Sequence, residues 1–173
     1  MEIAGLQREL PLCEVSEHLD IAAFVMFGDV EITTAAAAAL LKKCPEHDIV
    51  LTAEAKGIPL CFEIARQGCG DYEIARKSIK LYDTDPISFE VQSITTKTVQ
   101  TLYLAKARSE RLRGKRVLIV DDVISTGASL EVLEQIVKSS GGIVVGKAAV
   151  LAEGEAADRD DIIFLEKLPV FPK

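Results

Sequence analysis

Tryptophan is absent from this chain of 173 residues, histidine occurs twice, and the four cysteines are scattered. Cys13, Cys44, Cys61 and Cys69 have no paired metal-ligand spacing, and His18 and His47 form no cluster with them. That pattern argues against a structural zinc site and leaves reduced thiols as the reading. Positive charge is also short: 20 Lys and Arg stand against 27 Asp and Glu, a formal net charge of -7. General nucleic-acid affinity rests on clustered Lys and Arg that neutralise phosphates, so no nucleic-acid partner is expected and any phosphate site must be local. No apolar stretch reaches the roughly 18 residues of a membrane span. Met1 to Gly5 shows no basic region leading into an apolar run, so the expectation is a cytoplasmic protein with no membrane partner. Internal repeats and low-complexity linkers are missing as well.

What is present is the composition of an ordinary globular domain, 49% hydrophobic and 27% charged, in a length that fits one compact core. The alanine-rich run Thr33 to Cys44 consists of strong helix formers and predicts a helix. Asp48 to Ala53 is a short β-branched run, and Ile58 to Gln67 has apolar spacing near 3.6 and stops at Gly68, which reads as strand, loop, helix. Tyr72 to Ala75 is a further strand before the basic segment Arg76-Lys77-Ser78-Ile79-Lys80. Ile87 to Ile94 and Val99 to Lys106, joined by Thr95 to Thr98, suggest a hairpin with an exposed tip that can serve as a lid. Lys115 to Asp121 is the clearest strand, Ser129 to Ser140 an amphipathic helix ended by Gly141-Gly142, and Ile143 to Val150 the next strand. Strand, helix and strand in that order predict an α/β protein with a parallel sheet covered by helices on both faces.

The chemistry concentrates in Val117-Leu118-Ile119-Val120-Asp121-Asp122-Val123-Ile124-Ser125-Thr126-Gly127-Ala128-Ser129. Four apolar residues deliver two carboxylates to the C-terminal edge of the sheet, the edge at which open α/β sheets bind ligands. The loop that follows is small and hydroxylated, so its backbone N–H groups can converge on a phosphate while Thr126 and Ser129 donate from their hydroxyls. Gly127 lets the backbone approach closely. Carboxylates beside a phosphate make sense when they face something else, and ribose hydroxyls with a magnesium ion nearby are what they would accept.

This arrangement resembles the PRPP motif of the type I phosphoribosyltransferase family, in which an apolar strand, two acidic residues and a threonine-glycine loop bind phosphoribosyl pyrophosphate (PRPP). Glu54-Ala55-Lys56-Gly57 resembles the family's pyrophosphate loop, with Lys56 where adenine enzymes usually carry arginine. Arg76 to Lys80 resembles its basic stretch. Val25-Met26-Phe27-Gly28-Asp29-Val30 resembles the hood segment that packs on the base, with Gly28 in place of a customary arginine. The resemblance implies one domain with a parallel-sheet core at residues 32–152, a small N-terminal hood at 1–31 and a C-terminal tail at 153–173. It further implies a purine phosphoribosyltransferase, nearest the adenine and xanthine enzymes, using Mg2+ and acting as a homodimer on PRPP and a purine base. By the same resemblance Asp121, Asp122 and Lys97 are the catalytic candidates. Ser125, Thr126, Gly127, Ala128 and Ser129 would hold the 5-phosphate, Ala55, Lys56, Gly57, Arg76 and Lys80 the pyrophosphate, and Val25 and Phe27 the base. No metal ligand is assigned directly; magnesium would arrive with PRPP near Asp121 and Asp122. Thr95-Thr96-Lys97-Thr98 stands where adenine enzymes carry a glutamate.

Three other readings compete. A strand ending in Asp-Asp also opens receiver domains of two-component signalling, but there it lies near the start of the domain, whereas here it comes late in the chain. Gly141 to Lys147 has P-loop spacing, yet Ile143-Val144-Val145 belong to a strand and Ala148 lacks the hydroxyl that would hold magnesium. The serious rival is a non-catalytic, PRPP-binding, purine-responsive regulator, which the missing loop glutamate favours and the acidic charge makes a poor DNA binder.

Overall fold

The computed structural model describes residues 1–81, 85–92 and 99–173. It opens with a small hairpin, β1 (Glu2–Ile3) and β2 (Leu6–Gln7), turned by Ala4 and Gly5, both at positive φ as a two-residue hairpin turn requires. A second hairpin follows, β3 (Leu12–Ser16) with β4 (Leu19–Ala22). Helix α1 (Val30–Leu41) starts three residues before the alanine-rich run predicts. The reason is Asp29, whose carboxylate accepts from the N–H of Ile32 at 3.0 Å and is itself held by Arg8 Nε at 2.6 Å, a cap supplied by a residue distant in sequence.

The core then runs through β5 (Ile49–Ala53), α2 (Ile58–Gln67) and β6 (Tyr72–Ala75) to the antiparallel hairpin β7 (Pro86–Gln92) and β8 (Val99–Ala105). After the short α3 (Lys106–Glu110) come β9 (Arg116–Ile124), α4 (Ala128–Ser139) and β10 (Ile143–Glu153). A 3-10 turn at Gly154–Asp158 leads to β11 (Ile163–Leu168) and β12 (Val170–Pro172). Gly141 and Gly142 are the turn before β10 and Ile143–Lys147 its first residues, so the P-loop spacing has no strand-loop-helix to match it.

The central sheet has the order β11-β10-β9-β5-β6 with every neighbouring pair parallel. Alternation along β9 divides the interior in two. Val117 and Ile119 pack with Leu133, Ile136 and Val137 of α4, while Leu118 and Val120 pack with Ala36 and Leu40 of α1 and Leu60 and Ile64 of α2. Helices therefore cover both faces, as the apolar run of β9 requires. Connections leave β5 and β9 toward opposite edges, so the strand order reverses between them and a crevice opens at their carboxyl ends.

The structure corrects the reading of residues 153–173 as a tail. Ile163–Leu168 is the edge strand of the central sheet, and Val170–Pro172 pairs with β4 to complete a three-stranded sheet β12-β4-β3 with the hood. The hood thus joins the two ends of the described chain. Among the described residues no helix is long and apolar enough to cross a membrane.

Candidate active site

Asp121 and Asp122 leave β9 on opposite sides. Asp122 is 2% exposed, whereas Asp121 lines a cavity of about 120 Å³ together with Ser125 to Ser129. The two are coupled through the backbone, the N–H of Asp122 donating to Asp121 Oδ1 at 2.9 Å. Lys56 Nζ lies 3.0 Å from Asp122 Oδ2, an ion pair without hydrogen-bond alignment. Burial, then the neighbouring Asp122 charge, push the Asp121 carboxyl up to about 7.

Gly57 closes the crevice from the β5 side. A Cβ there would fall 2.4 Å from Thr52 Oγ1 and 2.8 Å from Asp121 Oδ1, so only hydrogen fits between the two strand ends. The Glu54–Ala55 peptide just before it is cis.

Beyond β9, Gly127 adopts φ 80° and ψ 4° and starts α4 without a side-chain cap. Uncapped N–H groups at a helix start carry partial positive charge and point outward, which makes this loop suited to an anion. Thr126 Oγ1 accepts only a long contact of 3.5 Å from Ala128 N. Cavity, loop and carboxylates thus bring N–H groups that favour an anion and oxygens that accept hydrogen bonds to one place.

Residues 27–170 match the Phosphoribosyl transferase domain. The chain belongs to this family. The phosphoribosyl transferase domain described here is similar to the adenine phosphoribosyltransferase of Rhodococcus jostii, 33% identical over 126 residues that span 73% of this chain and 69% of that protein. It is also similar to the purine biosynthesis transcriptional repressor PurR of Bacillus subtilis, 33% identical over 113 residues, 65% of this chain and 39% of the repressor. Among solved structures, the adenine phosphoribosyltransferase of Thermoanaerobacter pseudethanolicus superposes with a TM-score of 0.69 at 25% identity, covering 83% of this chain and 84% of that one.

Within this phosphoribosyl transferase domain the remaining residues singled out from the sequence are placed unevenly. Glu54 links the Lys56 loop to the basic segment: its N–H donates to Ala75 O at 2.8 Å and its Oε2 accepts from Lys77 N at 3.0 Å. Arg76 exchanges backbone hydrogen bonds with Tyr103 of β8, tying the segment to the hairpin. Arg76 also lines a separate cleft of about 440 Å³ beside β6, with Glu73, Arg108 and Arg111, and not the cavity at Ser125–Ser129. Lys80 Nζ donates to Ser78 Oγ at 2.9 Å. Val25 and Phe27 are 55% and 52% exposed while Phe24 and Met26 between and before them are buried, so alternation turns the pair outward, and neither lines the loop cavity. Lys97 lies outside the described residues.

Two residues near the site escaped the sequence reading. Glu153 ends β10; burial raises its carboxyl and the nearby Lys56 charge opposes that rise. Arg159 places Nη1 2.6 Å from where a Cβ on Gly127 would sit. Neither belongs to a motif. The available signal was the apolar continuation Leu151-Ala152, which carries β10 to the same edge as Asp121.

Proposed function

We propose that this chain is a purine phosphoribosyltransferase that transfers the 5-phosphoribosyl group from PRPP to a purine base, releasing pyrophosphate and giving a nucleoside monophosphate. The observation that carries the reading is the crevice at the reversal of strand order. There the buried Asp122, its neighbour Asp121, Lys56 and Gly57 meet beside an uncapped helix start.

Each part has a physical task in that reaction. The N–H groups of Ser125 to Ser129 and the hydroxyls of Thr126 and Ser129 hold the 5-phosphate at the positive end of α4. Asp121 and Asp122 accept from the ribose hydroxyls and favour the positive charge that grows on the ring as its bond to pyrophosphate breaks. Ala55, Lys56 and Gly57, with Arg76 and Lys80, meet the negative charge that grows on the leaving pyrophosphate. Val25 and Phe27 offer exposed apolar surface to the base. Closure of the hairpin would keep water from capturing the ribosyl cation, and Lys97, in the sequence between its two strands, is the catalytic candidate there.

The described residues gather no group of three acidic, histidine or cysteine side chains at metal-holding distance. Mg2+ does not need one: it is commonly held by one or two carboxylates plus substrate phosphate oxygens and waters. Asp121 and Asp122 fit that donor set, and magnesium bound there would neutralise pyrophosphate charge. A cytoplasmic homodimer is the state this reading carries, and light scattering tests the dimer.

The deciding experiment offers each purine and pyrimidine base in turn with PRPP and magnesium, measures pyrophosphate release and identifies the nucleotide by mass. Turnover with a purine is expected. PRPP binding without turnover on any base would instead support a purine-responsive regulator, a reading favoured by the Thr95-Thr96-Lys97-Thr98 segment and the similarity to the repressor. Absence of PRPP binding would overturn both.

A further inference from the structure

Arg159 follows the 3-10 turn after β10 and is fixed from one side only. Its Nε donates to Asp161 Oδ1 at 2.9 Å and its Nη2 to Asp161 Oδ2 at 2.8 Å, a two-point tie that sets the plane of the guanidinium. Asp161 is held in turn by Lys147 of β10, a side chain only 15% exposed, and Lys147 Nζ also donates to Glu134 Oε1 of α4 at 2.8 Å. The chain of contacts therefore runs from α4 through β10 and back to the start of α4. There the third nitrogen, Nη1, faces Gly127 and donates to no described residue.

The tie to Asp161 holds the guanidinium charged in this place, with its pKa raised. The start of a helix is its positive end, where a cation is unfavourable and an anion favourable. Asp161, with Glu134 and Glu131 of α4, keeps the cation favoured there, so a fixed positive charge stands at the positive end of the helix. Gly127 has a positive φ that favours glycine, and a methyl group there would stand 2.6 Å from Nη1, so the guanidinium keeps this place only beside a glycine. The guanidinium thus lies against Gly127, the residue that starts α4.

We propose that Arg159 supplies the side-chain cation of the 5-phosphate site at Ser125–Ser129, and that Asp161 and Lys147 are positioning residues for it. The proposal rests on the PRPP reading and adds to it a residue from a segment remote from the motif. Its chemical consequence is selective: Arg159 acts on the phosphate of the ribose, not on the pyrophosphate that Lys56 would face.

The test is calorimetric titration of the full chain with ribose 5-phosphate and, separately, with pyrophosphate in the presence of magnesium, for the parent, Arg159→Gln, Arg159→Lys and Asp161→Asn. Arg159→Gln should weaken ribose 5-phosphate binding about tenfold or more, the size of one charge-assisted hydrogen bond, and leave pyrophosphate within twofold. Arg159→Lys should recover part of the loss, and Asp161→Asn should lose less than Arg159→Gln. In turnover the effect should fall on KM for PRPP more than on kcat. Unchanged ribose 5-phosphate affinity in Arg159→Gln would overturn the assignment, and so would an equal loss for both ligands, which marks a merely structural role. If the parent binds no ribose 5-phosphate, the 5-phosphate reading of the loop fails and this proposal fails with it. If the parent binds and the Arg159 variants match it, only Arg159 is misassigned.

Discussion

At the carboxyl ends of β5 and β9 there is no room for a methyl group at Gly57 and Asp122 is 2% exposed, whereas on the hood Val25 and Phe27 are 55% and 52% exposed. The first region is finished by folding itself, since the apolar run that makes the middle of the sheet also carries the carboxylates to their place. Charges held that way need no reorganisation when the ribosyl cation forms, the condition under which electrostatic stabilisation is largest. The second region presents apolar surface that folding leaves uncovered. Covering a side chain of that size contributes roughly 1.5–3 kcal/mol, which is available to whichever ligand arrives. Under the proposed function, the sugar-phosphate chemistry would fall to the packed edge and the choice of base to the open one.

The largest effects should come from the packed edge. Asp121→Asn and Asp122→Asn should each lower kcat/KM for PRPP by about 100-fold or more, the scale of losing one preorganised charge contact in the transition state, with near-parent folding by circular dichroism. Intact turnover in either variant would break the assignment of that carboxylate. Next comes a paired glycine experiment. Gly57→Ala forces a methyl group to within 2.4 Å of Thr52 Oγ1 and should cost about 2 kcal/mol in denaturant unfolding. Gly28→Ala in the hood has a positive φ but nothing within 4 Å, so it should cost only the backbone strain of about 1 kcal/mol. Equal losses would erase the distinction between the two regions.

Both the sheet and the start of α4 were legible because their signals are local. Val117 to Val120 and the spacing of Leu130, Leu133, Ile136 and Val137 repeat with the periods that strands and helices impose, and the structure buries all of these residues. What escaped depends on partners far along the chain. The start of α1 is set by Arg8 acting on Asp29. Strand β9 runs on through Asp121 and Asp122 to Ile124 because its neighbour β10 pairs with it as far as Ile124, although charge interrupts the apolar pattern. Ile163–Leu168 looks like a tail until β10 is there to pair with it. Arg159 has no motif at all; it reaches the loop only because the chain turns back after β10.

The raised carboxyl of Asp121 gives a smaller effect with a definite sign. Its pKa is pushed up to about 7 in the folded protein by burial and by Asp122, against roughly 3.9 in an unfolded chain. Between those values the folded state keeps a proton that the unfolded state has released. The contribution of Asp121 to stability is therefore full below about pH 4 and lost as pH rises through about 7. Asp121→Asn should gain on the parent by about 2 kcal/mol between pH 5 and pH 8 in denaturant midpoints. A gap that does not change with pH would mean that the carboxylate pair is not coupled as the geometry requires. The same titration should raise PRPP affinity toward neutral pH, because an ionised pair accepts more strongly from ribose hydroxyls.

The smallest structural effect, and the sharpest on the comparison, belongs to Phe27→Ala. A side chain that is 52% exposed loses little packing on truncation, so stability should change by less than about 0.5 kcal/mol. PRPP affinity should be unaltered, because the phosphate and carboxylate contacts lie elsewhere. If Phe27 covers the base, KM for the purine should rise by about tenfold, the cost of leaving one aromatic contact unmade, while KM for PRPP stays put. A rise in both constants would place the hood and the sheet edge in one coupled unit, and a change in neither would return Phe27 to ordinary surface and leave the base to be recognised from the β10 end, where Glu153 stands.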